Sequence, residues 1–325
     1  MRKNTLLVNT GSKNHYADSK EIYMKIDDLR KSSNIEDRRG QSSSNSSFSS
    51  GSSGGNVLLG LLFSRLGWKG KLLVLVLLLA FGGMSNLGGL LSPSTRTNPY
   101  QSSQVTTTGT DVSDADAEFM SKVLGSTEDF WAQEFKANGL TYNAPTMVFY
   151  TNQTQTGCGV GSAQAGPFYC SADRKIYIDT SFYQELSSKY KAAGDFAMAY
   201  VIAHEVGHHV QNELEVLGAY HQKRAQLSDK EGNALNVRLE LQADYYAGAW
   251  AKYVDGQGIL DAGDIDEAMN AAHAVGDDTL QQEAYGRTVP DSFTHGTSEQ
   301  RKKWFNLGYT YGDLAHADTF SVENP

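Results

Sequence analysis

Cysteine, basic charge and long apolar runs are all scarce in this chain. Its 325 residues hold two cysteines, Cys158 and Cys170, which leaves room for one disulfide and excludes a scaffold stapled by several. The two lie 12 residues apart among Gly157, Gly159, Gly161, Gly166 and Pro167, with no histidine near them in sequence. That context favours a loop-closing bridge over free thiols or extra metal ligands. Lys and Arg number 28 against 37 Asp and Glu, a formal net charge of -9. Nothing resembles a basic groove with interleaved aromatics, so nucleic acid is excluded as a partner. No internal repeat is visible, which excludes a solenoid.

One stretch alone is long and apolar. Residues 72–91 carry no charge, with 72–80 the densest part, and roughly 20 residues span a bilayer. The stretch reads as one transmembrane helix, although Gly82 and Gly83, then Gly88 and Gly89, make its second half less apolar. It begins too late for a cleaved signal peptide, so an uncleaved anchor in the lipid bilayer is expected. Arg65, Lys69 and Lys71 precede it and only Arg96 follows soon after, which marks residues 1–71 as the cytoplasmic side. That leader holds 12 Lys and Arg against 6 Asp and Glu; the remainder holds 16 against 31. The acidic part is therefore expected outside the cytoplasm, in a bacterial periplasm or at a cell surface. Within the leader, residues 41–55 form a Ser/Gly-rich linker. Residues 31–39 read as a solvated tail or a docking segment. A second linker, 92–110, leads to an expected domain at 111–316, with 317–325 as a C-terminal tail.

Against this background one pentapeptide stands out, His204-Glu205-Val206-Gly207-His208. On a helix, positions i and i+4 lie over one another, so both imidazoles can reach one zinc ion at about 2.0–2.1 Å. Glu205 lies about 100° round the helix, outside the ligand set and close enough to take a proton from a water at the ion. Residues 195–203 are mostly apolar helix formers, which would bury this helix inside a domain. Gly207 removes a side chain where substrate or another backbone comes close, or else simply relieves packing. His209 points about 100° away from His208 and is expected in the core or in solvent; ordinary polar roles are expected for His221, His273 and His316.

Two histidines need a further protein ligand. The extended metzincin pattern requires Gly at 211 and His at 214, where this chain has Gln211 and Leu214. Glu205-Val206-Gly207-His208 is also a Glu-x-x-His pair, but a di-iron carboxylate centre needs a second one and the chain has none. A better source is the proline-free run 229–254, where Leu235, Leu239, Ala243, Tyr246 and Ala247 recur at helical steps. Within it, Glu240-Leu241-Gln242-Ala243-Asp244 puts two carboxylates on one face. One can bind the ion while the other holds a histidine ring by its remaining N–H.

These residues resemble the bacterial neutral zinc metallopeptidases, a gluzincin-type group. The resemblance takes in residues 204–211 and 240–248. It extends to Asn34-Ile35-Glu36-Asp37-Arg38-Arg39-Gly40, Gly157-Cys158-Gly159, Gly166-Pro167-Phe168-Tyr169-Cys170 and Ser292-Phe293-Thr294-His295-Gly296. It covers about residues 24 to 316, and residues 1–23 then read as an extension from a mis-assigned start. It implies a minigluzincin-like domain with one zinc ion held by His204, His208 and Glu240, and Asp244 orienting a ligand; Asp244 on the metal is the alternative. It implies Glu205 as general base in hydrolysis of a peptide or protein substrate. It implies His295 as donor to the oxyanion of the tetrahedral intermediate, with a structural capping role as the alternative. In related peptidases an edge strand pairs with substrate; residues 175–179 are the candidate, an interior strand the alternative. A membrane-tethered zinc protein acting as a non-catalytic scaffold or chaperone-like binder is the other class, and the intact Glu205 argues against it.

The coarse fold reading is α+β. Ser113 looks like a helix cap, 117–135 carries a helical apolar rhythm, and 146–150 and 175–179 read as strands. Most of the chain after Phe182 reads as helical, including 298–307. A small antiparallel sheet beside helices is expected, and about 205 residues suffice for one core.

Overall fold

A computed structural model describes residues 24–40, 115–182, 186 and 194–325. The expected anchor at 72–91, both linkers, Ser113 and residues 1–23 lie outside the described residues. Among the described residues no helix is long and apolar enough to cross a membrane.

The elements follow in the order β1 (Ile35–Asp37), α1 (Ala115–Ala137), β2 (Thr146–Tyr150), β3 (Gln153–Thr156), β4 (Gly159–Ser162), β5 (Phe168–Cys170) and β6 (Lys175–Asp179). Helices make up the rest: α2 (Asp195–Glu213), α3 (Val216–Arg224), α4 (Asp229–Gly256), α5 (Asp264–Ala274), α6 (Asp277–Tyr285) and α7 (Ser298–Tyr311). The α+β expectation therefore holds, with a mostly helical body. Helix α2 is buried nearly all round, through Phe196, Met198, Tyr200, Ile202, Val206 and Val210, as its unbroken apolar sequence requires. A capping box of Ser228 and Glu231 starts α4. A second, of Thr297 and Gln300, starts α7, which ends at Gly312 with φ 71°. The α4 and α7 backbones touch: a Cβ on Gly248 would lie 1.9 Å from the Phe305 carbonyl oxygen, and one on Gly308 the same distance from that of Tyr245. Trp131 of α1 packs edge-on against Tyr246, and the Trp250 indole donates to Ser126, closing the other side of α4.

The sheet corrects the antiparallel expectation. Its order is β1-β2-β6-β5; β1–β2 and β2–β6 are parallel, and only β5–β6 is antiparallel. Strands β2 and β6 are neighbours in space, but the β3–β4 hairpin and β5 lie between them in sequence, so β6 returns in the same direction as β2. Residues 175–179 are consequently interior, and the edge strands are β1 and β5. The Cys158–Cys170 disulfide is formed and ties the hairpin turn to β5.

Residues 31–39 are no solvated tail. Ile35, Glu36 and Asp37 pair with Met147, Val148 and Phe149, and Lys175 meets Glu36 at 2.6 Å. Met24 is buried in the main core, the Ser32 amide donates to the Ser121 carbonyl, and Arg30 bonds to Glu128 and Asp129 of α1. Residues 317–325 also dock: Arg238 donates to the carbonyls of Thr319 and Val322, and Gln242 to that of Ala317.

Candidate active site

Helices α2 and α4 cross where neither carries bulk. A Cβ on Gly207 would meet the Ala243 carbonyl oxygen at 3.0 Å and its Cα at 3.1 Å, so the approaching backbone is that of α4. Of the two readings of Gly207, this is close approach of a second helix. The crossing brings His204 and His208 to Glu240: His204 Nε2 lies 3.2 Å, and His208 Nε2 3.5 Å, from the same oxygen, Glu240 Oε2. The outer nitrogens are engaged elsewhere. His204 Nδ1 donates to Asp244 Oδ1 at 2.9 Å, and His208 Nδ1 to Gln211 Oε1 at 2.9 Å. Gln211 is itself fixed by donating to the Leu239 carbonyl and to Gln242 Oε1.

Asp244 has no spare face. Besides His204 it accepts from Tyr200 Oη at 2.6 Å and from Arg301 Nε and Nη2 at 2.8 and 2.9 Å, and it is completely buried. Burial alone would raise its carboxyl, but Arg301 and then His204 hold it down at about 2. For Glu240, burial is likewise opposed by His208, His295 and His204, which leave the carboxyl well below its ordinary value. Burial works against a charged His204, yet Asp244 and Glu240 raise it to about 9. Unlike the Asp244 and Glu240 carboxyls, that of Glu205 is raised: burial pushes it up, and the two imidazoles offset only part.

His295 sits in the loop before α7. Asp277, first residue of α6, gathers that loop by accepting the backbone N–H groups of Thr294, His295 and Gly296 on one oxygen, at 2.6, 2.6 and 3.0 Å. Its other oxygen lies 3.8 Å from His295 Nδ1, and Asn236 of α4 holds the Thr294 carbonyl. Burial lowers His295, but Glu240 and Asp277 outweigh it and raise the imidazole overall. On the sheet side, the backbone of Tyr169 in β5 faces Glu205 and holds its carboxyl down in part. The Tyr169 hydroxyl meets His209 Nδ1 at 3.1 Å. His209, its other nitrogen on the Asn143 carbonyl, is a core residue turned away from the site, within the earlier expectation.

Residues 24–320 match the family described as "Putative neutral zinc metallopeptidase". The chain belongs to that family. The family's match begins at Met24, so it includes β1 and the loop that carries His295. Uncharacterized protein YpfJ of Escherichia coli (strain K12) is 46% identical over 292 residues, 90% of this chain and 96% of its own. Uncharacterized protein Rv2575 of Mycobacterium tuberculosis (strain ATCC 25618 / H37Rv) is 46% identical over 192 residues, 56% of this chain and 64% of its own. No solved structure matches the chain.

Membership in a zinc metallopeptidase family implies zinc and suggests a hydrolase, and the donor set fits that ion. Ligand atoms of His204, His208 and Glu240 all lie within 4.8 Å of one another. Zinc–ligand bonds of about 2.0–2.1 Å in a tetrahedron put ligand atoms about 3.3 Å apart; the observed 3.2 and 3.5 Å agree. Both imidazoles donate outward, so their inner nitrogens and a carboxylate oxygen form a cluster of acceptors that needs a proton or a cation at its centre. Sequence reasoning missed Arg301, Tyr200, Gln211, Asp277 and Tyr169. Tyr200 and Gln211 stand one turn either side of the two histidines, a usable signal; for Arg301 and Asp277 no sequence spacing points to the site.

Proposed function

We propose that this chain is a zinc-dependent peptidase in which His204, His208 and Glu240 hold the ion and Glu205 is the general base. The observation that carries the reading is the shared acceptor cluster, with a buried carboxyl beside it and a family whose description names the chemistry. Zinc, when bound, supplies a Lewis acid for the scissile carbonyl and for water. Glu205 takes the proton of the attacking water and passes it to the leaving amine. His295, positioned by Asp277, donates to the oxyanion. The free edge of β5 receives the substrate backbone as an added strand, with Tyr169 at its register. The substrate class is therefore an extended peptide or an unfolded segment of a protein. Glu205→Gln is expected to keep zinc and lower turnover by about 10²–10⁴-fold. A Glu205→Gln protein that cleaves a casein digest at the wild-type rate removes the base from the proposal.

We further propose that the described domain, β1 included, works outside the cytoplasm and contacts lipid through residues 72–91. The disulfide and the acidic balance of the chain after residue 71 support an oxidising compartment. A single crossing at 72–91 would, however, put Ile35–Asp37 and Thr146–Tyr150 on opposite sides of the bilayer, whereas they form one parallel ladder. The proposal keeps the ladder and gives up a cytoplasmic place for residues 24–40. Ser33→Cys and Glu323→Cys, probed in intact cells with a membrane-impermeant maleimide, are both expected to label. Labelling of Glu323→Cys alone restores a single crossing, and labelling of neither places the domain inside.

A further inference from the structure

Helix α2 carries the zinc ligands near its C-terminal half and a second gathering of carboxylates at its first residue. Asp195, Asp264 at the start of α5, and Glu267 one turn further on each bring a carboxylate oxygen within 4.8 Å of the other two. Asp195 and Asp264 are almost fully buried. Among the described residues none of the three forms an ion pair with a Lys, Arg or His. Lys25, the cation that acts on Asp264, places its ammonium 2.9 Å from Asp261.

Hydrogen bonds satisfy the cluster only in part. Asp195 Oδ2 accepts the Met24 backbone N–H at 2.7 Å, Asp264 Oδ2 that of Asp261 at 2.8 Å, and Glu267 Oε2 that of Phe196 at 3.2 Å. Among the described residues Asp195 Oδ1, a buried atom, has no hydrogen-bond partner. A buried carboxylate oxygen left bare is costly, and native structures rarely tolerate one. The N-termini of α2 and α5 favour an anion, but each supplies only about half a positive charge against three carboxylates. The space is also shaped for the group that reaches it: a Cβ on Gly194, whose φ is +121°, would fall 1.9 Å from Glu267 Oε2. Glycine here lets that carboxylate lie against the start of α2.

We propose that Asp195, Asp264 and Glu267 form a second metal site, separate from the zinc centre, that binds one calcium ion. The donors are all oxygen, with no imidazole or thiolate, which selects a hard cation over zinc. Calcium takes 6–8 oxygens, so three carboxylates leave positions for water and main-chain carbonyls. Burial, then mutual repulsion, raises Asp195 to about 6 and Glu267 to about 7, as befits carboxylates gathered without a counter-charge. The ion would clip the first turn of the zinc-binding helix to α5, and the segment at Met24 is tied to the same place through its N–H on Asp195. Lys25, whose amide donates to the Ile259 carbonyl, adds a neighbouring stitch. The site is therefore a stabilising clamp, and its occupancy does not depend on whether the zinc centre is catalytic.

The test uses the full-length, zinc-loaded protein, titrated with Ca2+ by calorimetry and with Tb3+ by luminescence at pH 8. One Ca2+ per chain is expected to bind in addition to zinc. At a free Ca2+ about 100-fold above Kd the midpoint of thermal unfolding should rise by about 5–10 °C. Asp195→Asn and Glu267→Gln are each expected to weaken Ca2+ at least 10-fold while zinc content stays at one per chain. Absence of binding heat at about 5 mM Ca2+, or unchanged Ca2+ affinity in both variants, overturns the site. Should the variants fail to fold, the wild type decides alone: its Ca2+-induced shift must grow from pH 5.5 to 8, and a flat or absent shift means that the cluster shares protons and binds no cation.

Discussion

Replacing Asp244 by Asn keeps the shape of the side chain and removes its charge, which isolates what that charge does. Arg301, itself buried, loses the anion that meets it at 2.8 and 2.9 Å, while Tyr200 and His204 keep an amide in place of a carboxylate. A buried pair broken on one side costs about 3–5 kcal/mol, because the surviving charge is left uncompensated. For a domain of this size that is a fall in Tm of about 6–20 °C. The effect at the metal is separate: loss of a carboxylate partner to a liganding imidazole weakens metal binding about 10–100-fold. Calorimetric unfolding and competitive zinc titration read the two effects independently. Asp244→Asn combined with Arg301→Met removes both charges and should recover at least half of the lost stability without restoring zinc affinity. A single substitution that costs under about 1 kcal/mol, or leaves zinc affinity unchanged, would refute the account. Zinc content falling to zero even in excess zinc would instead make Asp244 a ligand.

Three further outcomes follow from the packing and the charges. Gly248→Ala drives a methyl into the Phe305 carbonyl, so α7 must move and take Arg301 with it; the expected cost is about 3 kcal/mol in urea unfolding, while Gly218→Ala, with open space around it, should be neutral or stabilising. Cys158→Ser with Cys170→Ser should lose about 3 kcal/mol, and reductant should reproduce that loss in the wild type but not in the variant. Without calcium, the Asp195 and Glu267 carboxyls, raised to about 6 and about 7, contribute most below the unfolded value near 4 and lose that contribution as pH rises through 6 to 7; Tm should therefore fall from pH 5 to pH 8, and a rise over that range would contradict the assignment.

Helices α2, α4 and α7 are legible in the sequence because their signals are local. An apolar run, a capping Ser or Thr, and two residues four apart on one face all act within a few turns, so 204, 208, 240 and 244 fall into place from spacing and family resemblance. Arg301 is illegible for the opposite reason. It reaches Asp244 across 57 residues of sequence, and only the close approach of α7 allowed by Gly248 and Gly308 brings it there. The same holds for Asp277, which gathers the His295 loop from 18 residues away. Residues 175–179 alternate as a strand should, but alternation carries no information about neighbours, and the edges fell instead to the short β1 and β5.

Strand β1 is the hardest element to read and has the largest consequence for how the chain is divided. Three residues form no stable strand alone, and their charges resemble those of a solvated tail. Those charges are matched pair by pair: Glu36 with Arg38 and Lys175, Asp37 with Arg39. The ladder to β2 adds bonds from the Met147 amide to the Asn34 carbonyl and from the Arg38 amide to the Phe149 carbonyl, each 2.8 Å. A chain lacking residues 1–40 loses these, worth about 1 kcal/mol each, together with burial of Met24, about 2 kcal/mol. It also uncovers the edge of β2, whose Met147, Val148 and Phe149 are fully buried in the intact protein. The expected penalty is therefore about 4–6 kcal/mol, measurable as a lower urea midpoint and as aggregation through the new edge. An unchanged midpoint would make residues 24–40 dispensable and return the domain boundary to residue 111. The predicted loss instead makes the long stretch between β1 and α1 an insertion within one domain.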